Sequence, residues 1–337
     1  MKNKKIAFVG SIIVDLVKTI DVWPDKGMLV TIGGTERAVG GLVCNTAVDI
    51  KTMDESLEVK ALGKVGKDEY GDWALDFLKS KGVDVSSVKR SESKDTAYTD
   101  VMTLEGSGER TFFHYRGANA EFTIDDVDLE NLDCDILHLG YLLALDGIDA
   151  KDEEYGTKSA RLLHDAQQKG IKTCIDVVSD QNGKFLEKVA PVLKYCDYIV
   201  INEIEGGMLC DIPPRNENGE LLIENLQKIC NELKAKGVSD TVVLHCPELS
   251  CAVDSKGEFY TLNSFDVPKD YIVGTVGAGD AFCAGMLYSF LNGYDVLKGM
   301  RLASCSAVCN LSAKNSVDGA RSLDKILEIE NKFERRR

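Results

Sequence analysis

Long apolar runs are missing from this chain of 337 residues. None approaches the ~18 residues that a bilayer-spanning helix needs. The opening, MKNKKIAFVG, passes straight into a short strand-like run, with no long apolar region or small-residue cleavage site. A cytoplasmic location is the expectation, with no membrane partner. An excess of basic charge is missing too, because Lys+Arg is 40 against Asp+Glu 55, a formal charge of −15. A nucleic-acid backbone must be met by a positive surface, so nucleic acid is excluded as a partner. The 11 cysteines are scattered and none forms a C-x-x-C pair, which argues against a zinc ribbon or a thioredoxin-type site. Most lie in apolar segments such as KTCIDVV and YCDYIVI, where a free thiol behaves as a small hydrophobe. Core thiols in a reducing compartment follow. Neither G-x-G-x-x-G nor a Walker loop with its Lys-Ser/Thr occurs, and a dinucleotide-dependent oxidoreductase fails for lack of that fingerprint.

What is present is the balance of a globular protein, 44% hydrophobic and 28% charged, with enough chain for a sizeable core. Short β-rich runs (Ile6–Gly10, Val59–Val65, Ile136–Gly140, Lys172–Val178, Tyr198–Ile201, Thr241–His245) recur between stretches of helical apolar spacing. The helical stretches are Tyr70–Lys81, Glu153–Lys169, Leu221–Lys236, Ala281–Leu291 and Val296–Ala313. This alternation predicts an α/β fold, a mostly parallel sheet with helices on both faces. Three helices end in Lys-Gly (Lys81-Gly82, Lys169-Gly170, Lys236-Gly237), which suits a helix C-terminus and its left-handed cap. No repeat or linker divides the chain. Residues near 12–35 and 96–118 alternate with period two instead, and TAYTDVMTLEGSGERTFFHYRG reads as a hairpin turned at Gly106–Gly108. These strands are either a small sheet over a ligand site or an edge extension that serves packing alone.

GTVGAGDAFCAGML, Gly274 to Leu287, is the most informative stretch. Gly277-Ala278-Gly279 should turn tightly into a helix, presenting backbone N–H groups with the positive end of the helix dipole behind them. That is a site for an anion such as a phosphate. Asp280 then has two readings. It is an N-cap, or it is a carboxylate that takes a proton from a hydroxyl attacking phosphorus.

TVGAGDAFCAG resembles the C-terminal signature of the ribokinase-like (PfkB) carbohydrate kinase family, D-T-x-G-A-G-D-x-F-x-x-G. Other segments fall in that family's order: VGSIIVDL (Val9–Leu16), GGLVCNTA (Gly40–Ala47), GKVGKDEYG (Gly63–Gly71), RGANAEFT (Arg116–Thr123) and INEIE (Ile201–Glu205). The resemblance spans about residues 5 to 325. It implies one ribokinase-like kinase domain over 1–337, a three-layer sandwich with a small β-sheet lid formed by segments 12–35 and 96–118. The implied activity is ATP- and Mg²⁺-dependent phosphorylation of a hydroxyl of a small sugar, sugar acid or nucleoside.

By the same resemblance Asp280 is the base, and Gly277, Ala278 and Gly279 complete the catalytic turn. Asp15, Gly40, Gly41 and Asn45 bind the acceptor. Arg116, where the lid strand returns, is either a carboxylate-binding residue or a rim residue. Asn202, Thr275, Gly277 and Gly279 meet the nucleotide, and Glu205 with Asn202 holds Mg²⁺ through water. The other reading of N-E-I-E is a solvated acidic turn. His114 reads as lid surface, His138 as core and the ERRR ending as a solvated end. Some relatives pair lid to lid as homodimers.

Two departures stand out. LHCPELSCAV puts Pro247 and Glu248 where the family has a Thr or Lys and a glycine turn along the nucleotide; proline lacks an N–H donor and a carboxylate facing a triphosphate is unfavourable. Gly274 replaces the Asp that in many members helps hold a monovalent cation. A sugar- or nucleoside-binding protein with weakened catalysis is therefore the second functional class.

Overall fold

The computed structural model describes residues 3–106, 108–178 and 185–337. An eight-stranded sheet forms the middle layer, built from β1 (Lys5–Val9), β4 (Glu58–Leu62), β7 (Ile136–Leu142), β8 (Lys172–Val177), β9 (Tyr198–Asn202), β10 (Thr241–His245), β11 (Leu249–Val253) and β12 (Phe259–Asn263). Its order is β12-β11-β10-β9-β8-β7-β1-β4. The strands from β4 through β10 are parallel, and β11 and β12 close one edge as antiparallel neighbours. Parallel strands are buried on both faces and so read as continuous apolar runs, as in KIAFV of β1.

Helices α1 (Leu42–Met53), α2 (Glu69–Ser80), α6 (Ala278–Asn292) and α7 (Val296–Asn310) cover one face of the sheet. Helices α3 (Lys158–Gln168), α4 (Glu203–Cys210) and α5 (Ile223–Ala235) cover the other. Gly82, Gly170 and Gly237 all take positive φ after their lysines, as the Lys-Gly endings predict. The helix expected from Glu153 begins only at Lys158. Residues 151–157 fold back as a small two-stranded ladder, and Thr157 caps α3 by accepting from the Ala160 N–H at 3.2 Å.

A second, four-stranded sheet combines β2 (Ile13–Ile20), β3 (Ile32–Gly40), β5 (Tyr98–Leu104) and β6 (Arg110–Tyr115) in the order β3-β2-β5-β6. The 98–115 hairpin is present, with Gly106 and Gly108 at its turn; residue 107 lies outside the described residues. β2 and β5 pair in parallel, which no local pattern encodes. β3 runs on to Gly40, past the expected limit at residue 35. Among the described residues no helix is long and apolar enough to cross a membrane. All eleven cysteines are free, eight of them buried.

Candidate active site

Four parallel strands end beside the N-terminus of α6, placing Tyr141 (β7), Asp176 (β8), Asn202 (β9) and His245 (β10) around one cleft of about 260 Å³. Such a crevice at the carboxyl ends of the strands is where open α/β sheets hold ligands. Gly277 caps α6 in the left-handed region at φ 81°, and a Cβ there would lie 2.6 Å from the Cα of Ser316. A side chain at 277 is thus excluded twice, by strain and by space. The Ala278 N–H donates to the Thr275 carbonyl at 3.3 Å. The N–H groups of Gly277, Gly279 and Asp280 donate to no described residue and remain for an anion.

Asp280 is the third residue of the helix and makes no capping bond. The cap reading therefore fails. Its carboxylate turns instead to α1 and β7. Asn45 Nδ2 donates to Oδ2 at 2.9 Å, and the Tyr141 hydroxyl donates to both oxygens at 3.0 Å. Asn45 is held in that orientation because its Oδ1 accepts from Ser316 Oγ at 2.8 Å. Burial pushes the Asp280 carboxyl up to about 7, with the charge of Asp176 adding to it and the bonds from Asn45 and Tyr141 opposing. A proton acceptor with this affinity is matched to work near neutral pH. Asp49, buried on α1 with neither oxygen bonded, is raised well above the carboxylate range by burial and by the charge of Asp280. His138 and Cys283 lie beneath Asp176, with His138 Nε2 3.8 Å from Asp176 and 3.9 Å from Cys283 Sγ. This mixed N, O and S cluster does not suit magnesium, and the His138 Nδ1 lacks the acceptor that orients a metal-bound imidazole. The expectation that His138 is core holds.

A cavity of about 850 Å³ lies between the lid sheet and the loops at 272–276 and 314–316. Asp15 lines it, bonded to Thr99, and burial raises its carboxyl to about 6 while Arg110 opposes the rise. Gly40 faces Asp15 so closely that a Cβ would fall 2.4 Å from Oδ2. Gly41 is the N-cap of α1. Arg116 does not line this cavity. It donates to Asp146 at 2.7 Å and to the Leu143 carbonyl at 3.3 Å. Two guanidinium groups do line the cavity: that of Arg37, which pairs with Glu69, and that of Arg110, whose Nη2 donates to the Lys314 carbonyl at 2.8 Å.

A third cavity, about 510 Å³ and mainly apolar, runs from Ala278 and Gly279 to Phe265 and Val308. Thr275 lines both this cavity and the lid cavity, and Asn202, His245 and Gly279 line both it and the cleft. Asn202 and Glu205 form a reciprocal capping box at the start of α4: the Glu205 N–H donates to Asn202 Oδ1 at 2.8 Å, and the Asn202 N–H donates to Glu205 Oε2 at 3.0 Å. Glu203 and Glu205 are both buried, so the N-E-I-E turn is not a solvated one. Glu203 binds Arg215, and the same guanidinium takes Glu248 at 2.8 Å on each of two nitrogens. That pairing drops the Glu248 carboxyl to about 2 and neutralises the charge that LHCPELSCAV brings to the turn. Pro247 lines the apolar cavity directly.

The ERRR ending keeps Glu334, Arg336 and Arg337 exposed, as a solvated end does, but its backbone is paired. It runs along residues 263–266, with Asp266 N–H donating to the Glu334 carbonyl and Arg336 N–H to the Ser264 carbonyl, both at 2.8 Å. Arg335 lies over the Phe265 ring at 4.0 Å and bonds Glu330, while Arg336 reaches the apolar cavity. Sequence reasoning missed Tyr141, Asp176, Arg110, Arg215 and Arg336. Tyr141 and Asp176 had a usable signal, their place at the ends of expected parallel strands.

A buried carboxylate at a glycine-turned helix start, flanked by a polar cavity and an apolar one, is the layout of an enzyme that brings two small molecules together. Comparison with known proteins supplies the family: residues 3–322 match the pfkB family carbohydrate kinase, and the chain belongs to that family. It is similar to ribokinase of Schizosaccharomyces pombe, 24% identical over 97% of each chain. It is also similar to 5-dehydro-2-deoxygluconokinase of Clostridium perfringens, 23% identical over 87% of this chain and 84% of the relative. The solved Arabidopsis thaliana ribokinase complexed with ribose and ATP superposes with a TM-score of 0.79 at 20% identity, covering 97% of this chain and 98% of that one. The expected ribokinase-like fold is thereby borne out.

Proposed function

We propose that this carbohydrate kinase transfers the γ-phosphoryl group of ATP to a hydroxyl of a sugar or sugar acid held beneath the lid. The observation that carries the reading is the placement of Asp280. Its carboxylate is buried beside three free N–H groups, in a cleft whose lining residues continue into the apolar cavity. Ionised Asp280 accepts the proton of the attacking hydroxyl, and the N–H groups of Gly277, Gly279 and Asp280 meet charge on the transferring phosphoryl group. The apolar cavity suits a nucleoside, with Arg336 at its wall and Thr275 and Asn202 on its polar side. Asp15 accepts from acceptor hydroxyls, with the Gly40–Gly41 backbone beside it, while Asn45 serves the base. Arg110, rather than Arg116, is placed to meet a carboxylate on the acceptor. The lid cavity exceeds what one pentose fills, which favours a nucleoside acceptor as the second reading.

The oxygen donors Glu205 and Asn202 fit Mg²⁺, which takes hard ligands and keeps several waters; when bound, the ion neutralises phosphate charge. A monovalent cation does not fit in the same way. Gly274 offers no side-chain oxygen, and a Cβ there would lie 2.6 Å from the Ala313 carbonyl oxygen, so backbone fills the space a side chain would take. Free thiols suit a cytoplasmic, reducing compartment.

The test is ADP release measured across pentoses, hexoses, deoxy-keto sugar acids and nucleosides, with Asp280→Asn as control. Turnover with one acceptor class that the variant lacks supports the proposal. Tight ligand binding without ADP release would move the protein to the binding-protein class.

A further inference from the structure

We propose that Tyr141 is the positioning residue of the base: its phenol holds the Asp280 carboxylate in the orientation, and favours the ionised state, that proton abstraction needs. The inference rests on Asp280 being the base. Its place at the end of β7 brings the tyrosine to the cleft, and its geometry there carries the inference.

A carboxylate free to rotate presents its lone pairs to the acceptor in many directions. Here Asn45 secures Oδ2 and Tyr141 bridges both oxygens at 3.0 Å, so the group is fixed about its last torsion while lone pairs remain for a substrate hydroxyl. The charged and titratable neighbours come from every element around the cleft. They are Asp49 on α1, Asp176 on β8, Glu205 on α4, His245 on β10, Cys283 on α6, and His138 behind Asp176. None of them is a lysine or arginine. His245 is lowered to about 4 by burial and is neutral, and the Cys283 thiol is raised well above its usual range by burial. Among the described residues, stabilisation of ionised Asp280 from the facing side chains therefore rests on two neutral donors, Asn45 and Tyr141.

The backbone around the phenol is unusual in a way packing alone does not require. Tyr141 has φ 55° and Leu143 φ 83°, left-handed values that strain a non-glycine backbone. Specific bonds hold the segment there. Asp176 Oδ1 accepts from the Tyr141 N–H at 2.7 Å, and Asp149 Oδ2 accepts from the N–H groups of Leu143 and Leu145 at 2.8 and 3.1 Å. Arg116 takes the Leu143 carbonyl at 3.3 Å. The residues 141–149 thus form a braced loop that delivers one hydroxyl to one carboxylate.

The experiment is Tyr141→Phe, which keeps the ring and removes the donor, with kcat and KM measured from pH 5.5 to 9.5. The expected result is an acid limb displaced upward by about 0.7–1.3 pH units and a rate at pH 7 lowered about 3–10-fold. Near wild-type turnover should return at pH 9, with acceptor KM changed less than about twofold and melting temperature held. A uniform loss at all pH values, or no change, overturns the proposal. A faster variant with lower acceptor KM also overturns it, because the phenol is then an obstruction. A second readout separates this inference from the reading it rests on. Carbon-13 NMR titration of the Asp280 carboxyl in resting wild-type and Tyr141→Phe protein reports the displacement without turnover. An unmoved titration refutes the role of Tyr141 even if kinase activity is established, and a moved one supports it even if the acceptor is still to be found.

Discussion

Glycine caps helix α6 at 277, and that choice leaves the carboxylate three positions later without a structural duty. Asp280 is buried and its proton affinity is raised toward 7. Two consequences have opposite signs. For activity, the ionised form is needed, so kcat/KM should fall about tenfold per pH unit below about 7, and Asp280→Asn should lower kcat by about 10²–10⁴ above pH 7, a deficit that narrows as wild type is protonated. For stability, a carboxyl raised from 3.8 in the unfolded chain to about 7 in the native state makes a contribution that is fully present below 3.8 and lost as pH rises to 7. Asp280→Asn should therefore gain on wild type, in melting temperature, between pH 5 and pH 8. A difference that stays constant across that range would contradict the burial argument. Glu205 carries the other charge of interest. Glutamine can keep the reciprocal bonds of the capping box, so Glu205→Gln should preserve the fold. It should raise the magnesium concentration for half-maximal rate, and an unchanged magnesium titration would remove Glu205 from the metal assignment.

Elements bring these residues together, and two segments matter in particular. Residues 333–336 pair with residues 263–266, and strand alternation sends Arg335 to Phe265 and Arg336 to the apolar cavity. The Arg336 guanidinium makes no ion pair with any described residue. It offers donors and a planar cation to a nucleoside, worth about 1 kcal/mol. Arg336→Ala leaves the backbone pairing in place, so KM for ATP should rise about 5-fold with acceptor KM unchanged; initial rates at varied ATP decide it. The second segment is the 313–316 loop, whose carbonyls crowd Gly274. With no carboxylate to offset the dehydration of a monovalent ion, rates in potassium and in a large organic cation at equal ionic strength should agree within about twofold. A several-fold activation by potassium would show that backbone oxygens rebuild a cation site.

The whole molecule is one sheet with helices on both faces and a lid whose outer parts remain apolar. Leu29 is 90% exposed, Met28 70%, and Phe112 and Phe113 more than half. Met28 and Leu29 lie in the connection between β2 and β3, and Phe113 lies on β6 opposite in facing to Phe112, which lines the cavity; a lid-to-lid homodimer would cover the first three. Light scattering after size exclusion should give twice the chain mass, and Phe113→Glu should return the monomer. A monomeric wild type at working concentration would refute the pairing.

Much of this architecture is legible along the chain because its causes are local. Helical spacing, strand runs and Lys-Gly endings are matters of residues two to four positions apart, and the glycine turn before α6 is written in four consecutive residues. The same locality explains what reading the chain could not supply. Asp280 meets Asn45 across 235 positions and Tyr141 across 139. Arg215 meets Glu248 across 33, which turned an apparently unfavourable carboxylate into half of an ion pair. Arg116 and Arg110 belong to one hairpin and its return, and only the pairing of β2 with β5 decided which of them reaches the lid cavity. By itself the sequence determined an α/β kinase-like framework and marked the glycine turn and the carboxylate that we propose as the base. The tertiary structure alone decided the surroundings of that base. Burial and the donors that hold a carboxylate come from strand ends and helices which only folding brings within 3 Å.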